Sequence, residues 1–126
     1  MNTALFEAIA DLLIPAGTDM PSASEAKVGT IGLEQVLKFR PELTAPIQDI
    51  LDQCEGKSAE AALKSLSPGD FSTLAEIVAS AYFMNEKVRA ELHYRGQHAQ
   101  PIEPEEIDPA LLKPVLDRGT IYRKTA

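Results

Sequence analysis

The sequence predicts an all-α fold: a small, irregular multi-helix bundle followed by an extended, proline-rich C-terminal arm. Three observations predict it. Apolar residues recur at helical spacing through the first 92 residues, no segment alternates with the period of a strand, and four of the nine prolines follow residue 100. The predicted organisation is a helical domain over residues 1–92 and an arm over residues 93–126. The arm carries one short helix and either belongs to the same domain or wraps around a partner.

Composition narrows the class of protein. A chain of 126 residues with 44% hydrophobic residues can build one modest core. The formal charge of −7 disfavours nucleic acid as a partner, because binding phosphate backbones needs clustered Lys and Arg. No apolar run approaches the roughly 20 residues that span a bilayer, so we expect no direct membrane insertion. A single cysteine, Cys54, excludes an internal disulfide framework.

The first two helices are predicted from capping residues, prolines and glycines. Thr3 is a suitable N-cap, and the chain must leave the helix near Pro15. The predicted buried face comprises Leu5, Phe6, Ile9, Leu12 and Leu13. Within a second predicted helix, residues 24–39, the spacing of Gly29 and Gly32 suggests a close approach by another backbone. The alternative is a broken helix.

Four further helices are predicted before the arm and one within it. They are residues 43–51 with Pro46 near the start, 57–66, a long helix from Ser67, 85–92 and 108–117. The serine, proline and acidic residue at 67, 68 and 70 suit a helix N-terminus. The predicted buried stripe of the long helix is Phe71, Leu74, Ala75, Val78, Ala81 and Tyr82. Residues 85–92 are either a separate helix or a kinked continuation.

Catalytic and cofactor motifs are sparse. His93 and His98 are five residues apart in a predicted loop, which is not the spacing of a helical zinc pair. There is no glycine-rich phosphate loop and no nucleophile elbow. The acidic residues between 103 and 108 lack the spacing of a calcium loop and are read as a solvated or partner-facing run. We therefore predict no catalytic residue, no cofactor and no metal in this chain. A small helical enzyme with either histidine as general base remains an alternative.

The arm is too apolar for a purely solvated tail, and we expect it to pack against a protein surface. It either binds a partner or folds back over its own helices. Tyrosines serve as aromatic anchors and an arginine as a forked donor at binding surfaces. The predicted partner-binding residues are Tyr94, Arg95, Gly96, Leu111, Leu112 and Tyr122.

Five segments resemble the gluconate 2-dehydrogenase subunit 3 family. Residues 6–15 (FEAIADLLIP) and 18–28 (TDMPSASEAKV) look like the start of that family. Residues 82–88 (YFMNEKV) resemble its aromatic-rich helix end. Residues 92–96 (LHYRG) are similar to its Leu-Gly-Tyr-x-Gly loop, with a histidine in place of the first glycine, and residues 116–122 (LDRGTIY) resemble its terminal segment.

The resemblance implies a non-catalytic small subunit that binds and stabilises the FAD-containing large subunit of a sugar or polyol dehydrogenase. FAD and the catalytic residues are then expected in that partner, with or without a separate electron-transfer subunit. The complex is expected to be cytoplasmic as encoded, since no leader is visible, or periplasmic if a leader was removed or the complex is co-exported. The alternative from a different class is a free-standing helical adaptor or homo-oligomer.

Overall fold

A computed structural model describes residues 1–99, 101, 108–122 and 125, and within them the chain is all-α. Contacts divide it into two compact units, residues 1–95 and 96–126, and each is described by itself. The helices are α1 (Thr3–Leu13), a π-helical turn (Val28–Gly32), α2 (Leu33–Phe39), a 3-10 turn (Pro41–Leu43), α3 (Thr44–Gln53), α4 (Ala59–Ser65), α5 (Pro68–Phe83), α6 (Glu86–Glu91) and α7 (Pro109–Arg118). No helix of the described residues is long and apolar enough to cross a membrane.

Side-chain caps set the helix starts. Asn2, and not the predicted Thr3, caps α1, because its Oδ1 accepts from the backbone N–H of Leu5 at 3.1 Å while Thr3 is already helical. Ser67 caps α5 as predicted, with its Oγ accepting from the backbone N–H of Asp70 at 3.1 Å. Asn85 caps α6, so residues beyond α5 form a separate helix and not a kinked continuation of it.

The core of the first unit is built around α5, which packs against α2, α3, α6 and the π-helical turn. Its buried residues are Leu74, Ile77, Val78, Ala81 and Tyr82. The prediction that Leu12 and Phe71 are buried is wrong, because both side chains are exposed. Leu12 lies off the face formed by the buried residues of α1, and Phe71 stands in the first turn of α5, so the buried stripe begins at Leu74. Ile77, absent from the prediction, is fully buried.

The segment between α1 and α2 has little regular structure of its own, and side chains of α1, of α5 and of the residue that caps α6 bind its backbone. The Tyr82 hydroxyl donates to the Pro21 carbonyl at 2.7 Å, and Asn85 Nδ2 donates to the Ala26 carbonyl at 2.9 Å. From α1, Asp11 Oδ1 accepts from the backbone N–H of Ser24 at 2.8 Å. Backbone polar groups that would otherwise be partly buried without partners are thereby satisfied.

Both predicted interpretations of Gly29 and Gly32 hold in part. The helix is broken, since residues 23–27 form turns and an α-helix begins only at Leu33. A close approach is also present: a Cβ at Gly32 would lie 2.9 Å from Ala81 Cβ and 3.1 Å from the Ala81 carbonyl oxygen. At Gly29 the neighbour is the flexible side chain of Glu7. Only at Gly32 does another helix's backbone require glycine.

We expect Gly32→Ala to lower the free energy of unfolding by about 1–3 kcal/mol, the usual cost of overpacking, because Ala81 belongs to a helix and cannot yield. Gly69→Ala is the matched control. It lies in the first turn of α5 with nothing closer than 3.9 Å to a new Cβ, so it should raise stability by about 0.4–1 kcal/mol. Urea denaturation of both variants measures the difference, and equal effects would contradict the close approach.

The pKa of Asp11 gives a second prediction. Burial acts to raise it, but hydrogen bonds from the Ser24 backbone and from the Ser24 and Ser22 side chains together hold it below its ordinary value of 3.8. A carboxyl whose folded pKa is depressed contributes stability that is present above its unfolded pKa and is lost as pH falls toward the folded pKa. The stability difference between the natural chain and Asp11→Asn should therefore be largest near neutral pH and shrink below about pH 4. Urea denaturation at pH 6 and pH 3 checks this, and a pH-independent difference would contradict it.

Candidate partner-binding surfaces

The C-terminal end of α6 is closed by a Schellman motif. The backbone N–H of Tyr94 donates to the Arg89 carbonyl at 2.9 Å, and that of His93 donates to the Ala90 carbonyl at 3.0 Å. The turn requires a left-handed residue, and His93 supplies it at φ 54°. Glycine is the usual residue at this position because it has no Cβ penalty there. The motif folds the chain back so that Tyr94 returns to the last turn of α6.

A shallow pocket of about 420 Å³ lies beside this motif. It is lined by Glu86, Arg89, Ala90, His93, Tyr94 and Arg95. With His93 counted as neutral, the two arginines and one glutamate give the pocket a formal charge of +1. The whole chain, by contrast, has a formal net charge of −7. Tyr94 is 57% exposed, and the buried Arg89 Nε has no hydrogen-bond partner among the residues that the structure describes. This pocket is thus a locally cationic, aromatic surface.

The second unit contains α7, an amphipathic helix without a core. Asp108 caps it, with Oδ1 accepting from the backbone N–H of Ala110 at 2.9 Å, and Pro109 occupies the first turn. None of its residues is buried. Its apolar side chains lie along one stripe, which comprises Leu111, Leu112, Val115 and Leu116. The side chains of Leu111 and Leu116 are 75% and 76% exposed. On the opposite face Lys113 and Asp117 form an ion pair at 2.6 Å.

The six predicted partner-binding residues are divided between the two units. Tyr94 and Arg95 belong to the first unit and line the pocket beside α6. Gly96, Leu111, Leu112 and Tyr122 belong to the second. All six are exposed, and Gly96 has φ +82°, a left-handed conformation that favours glycine. His98 is exposed, with its Nδ1 3.2 Å from the Gly96 carbonyl. The predicted acidic run at 103, 105 and 106 lies outside the described residues.

Sequence reasoning missed a second groove, of about 530 Å³, in the first unit. It runs between the outer face of α2 and the α5–α6 corner, and its apolar residues include Ile31, Phe39 and Met84. Phe39 is 71% exposed. Ile31, Gln35 and Phe39 follow each other at four-residue spacing, which marks a helix face distinct from the buried one at Leu33 and Val36. The spacing predicts only that the three side chains share a face; the elements that complete the groove are set by the tertiary structure.

The contacts that the described residues make at these surfaces are hydrogen bonds, exposed ion pairs and apolar contacts. The described residues contain no group of three side chains placed to hold a metal ion. Comparisons with protein-family models, with curated proteins and with solved structures find no match for this chain.

The left-handed His93 generates a prediction. The left-handed conformation costs an L-residue about 1–2 kcal/mol. Glycine avoids this cost but loses more backbone entropy on folding, so the net gain in stability is smaller. We expect His93→Gly to raise the free energy of unfolding by about 0.5–1 kcal/mol. His93→Val should lower it by about 1 kcal/mol, because a β-branched residue fits this region worst. Thermal unfolding of both variants gives the order, and a valine variant as stable as the glycine variant would contradict it.

Proposed function

We propose that this chain is a small accessory subunit that binds and stabilises the FAD-containing large subunit of a sugar or polyol dehydrogenase and contributes no catalytic group. The observation that carries the binding role is α7. Four apolar side chains stand on one face of a ten-residue helix that buries none of its residues. A helix this short is marginal in water by itself, and such a face is typical of a segment that docks into a partner's groove.

The family assignment within this proposal is supported by the loop after α6. The resemblance places a glycine where this chain has His93, and His93 adopts the left-handed conformation that glycine favours. Gly96, the other glycine of the resembling loop, also has a positive φ, of 82°. The local backbone therefore fits a Leu-Gly-Tyr-x-Gly sequence although one of its glycines is replaced.

The proposed mechanism is stabilisation by mass action. A subunit that binds only the folded large subunit raises the latter's stability by RT ln(1 + [L]/Kd), about 2.7 kcal/mol at a concentration one hundred times Kd. FAD chemistry belongs to the partner. The residues of this chain would bury apolar surface through α7 and place Tyr94 and Arg95 at the interface.

The test is co-expression of the tagged chain with the product of the adjacent gene, followed by size exclusion and an absorbance spectrum. We expect a flavin spectrum to co-elute with a large partner and to be lost when this chain is omitted. A colourless, homogeneous peak of this chain alone would contradict the proposal and favour the free-standing adaptor or homo-oligomer.

A matched pair of variants tests the part played by α7. Replacing Leu111 and Leu112 by serine should weaken the complex roughly 100-fold or more, since each buried leucine contributes about 1.5–3 kcal/mol. Replacing Lys113 and Asp117 by serine changes the opposite face of the same helix and should leave affinity almost unaltered, because their ion pair is exposed. Affinities from titration calorimetry should separate the two variants; equal losses would show that α7 acts only through its helicity.

A further inference from the structure

Arg89 is the one described residue with a buried side-chain nitrogen that lacks a hydrogen-bond partner. Its Nε is removed from solvent, and no described residue accepts a hydrogen bond from that nitrogen. Leaving a buried donor unsatisfied is destabilising, and more so for a charged group. Arg40 provides the contrast, since its guanidinium donates to both Glu42 and Glu76. Among the described residues, two carboxylates thus accept from Arg40, whereas none accepts from the Nε of Arg89.

The geometry around Arg89 fits a site for a ligand. The Schellman motif ties the Tyr94 backbone to the Arg89 carbonyl, so the two side chains line one pocket together with Arg95. Arg89 also lines the neighbouring groove beside Met84. Glu86 is the pocket's one acidic residue and forms no ion pair with Arg89 within 4.0 Å. The pocket therefore keeps a net positive charge, and within the described residues the Arg89 Nε has no acceptor.

The donors present define the ligand chemistry. A guanidinium group offers a planar fork that matches the two oxygens of a carboxylate, and a tyrosine hydroxyl can donate to either oxygen. Cations are disfavoured by the two arginines. A carboxylate carried on a side chain reaches such a shallow surface pocket from a neighbouring protein, whose approach also excludes water and strengthens the pair.

We propose that Arg89, with Arg95 and Tyr94, forms a receptor for the carboxylate of an acidic side chain on the partner protein. The chemistry of the pocket stands on the geometry of this chain alone. The identity of the partner as the dehydrogenase large subunit rests on the proposed function.

The first experiment follows the Nε–H resonances of arginine in the ¹⁵N-labelled full chain during titration with acetate, against chloride at matched ionic strength. Arg89 Nε is buried, so its proton should exchange slowly enough to be observed. We expect a saturable shift of the Arg89 resonance that weakens several-fold in Arg95→Gln. Arg40, already paired with Glu42 and Glu76, is the internal control and should not respond. A linear response equal to that of Arg40 would overturn the carboxylate pocket.

The second experiment measures stability and affinity in the same variants. Arg89→Met removes an unsatisfied donor and keeps most of the side chain's volume, so the isolated chain should melt at the same or a higher temperature. The same variant should bind the large subunit about tenfold or more weakly, and Arg89→Lys should fall between, because lysine retains the charge and loses the fork. Arg40→Met should leave affinity unchanged.

The outcomes separate the two proposals. A lower melting temperature for Arg89→Met with unchanged affinity would give Arg89 a structural role and overturn the inference. An acetate response with full affinity of Arg89→Met for the large subunit would overturn the assignment of the carboxylate to that partner. If no flavoprotein complex forms at all, the proposed function fails, while the titration still decides whether the pocket binds carboxylate.

Discussion

The first unit depends on the attachment of the irregular segment between α1 and α2 to the C-terminal end of α5. Three contacts make this attachment. Gly32 packs on Ala81, the Tyr82 hydroxyl donates to the Pro21 carbonyl, and the Asn85 side-chain amide donates to the Ala26 carbonyl. A connection of this length could not otherwise satisfy its backbone groups inside a small core. Burial, together with the negative charge of Glu25, raises the pKa of Tyr82, which keeps its hydroxyl protonated and able to donate this bond.

The same attachment positions the candidate binding surfaces of the first unit. Asn85 both holds the Ala26 carbonyl and caps α6 through the backbone N–H groups of Lys87 and Val88. Val88 is fully buried and fixes α6 against the core, which leaves Arg89 at the edge between the two grooves. A residue that stabilises the core therefore also orients the pocket. The strained His93 is tolerated because both ends of the turn that contains it are hydrogen-bonded.

The two units differ in how much apolar surface they bury. The first buries a contiguous apolar cluster that includes Phe6, Ile47 and Leu74. The second presents apolar residues on α7 and at Tyr122 without burying those of its helix, which is unfavourable for a free chain. This division is consistent with the proposed function, in which the first unit folds and the second would bury its apolar face on a partner.

By itself the sequence determined the all-α class, the end of the first helix near Pro15 and the cap at Ser67. These are local choices that fix backbone dihedrals and satisfy nearby N–H groups. Periodicity also gave most of the α5 stripe. Only the tertiary structure decided that Phe71 is exposed and Ile77 buried, that Gly32 meets Ala81, and that no described residue accepts from the Arg89 Nε. These depend on contacts between residues far apart in the chain, and the spacing of residues within one helix carries no information about what its neighbours leave uncovered.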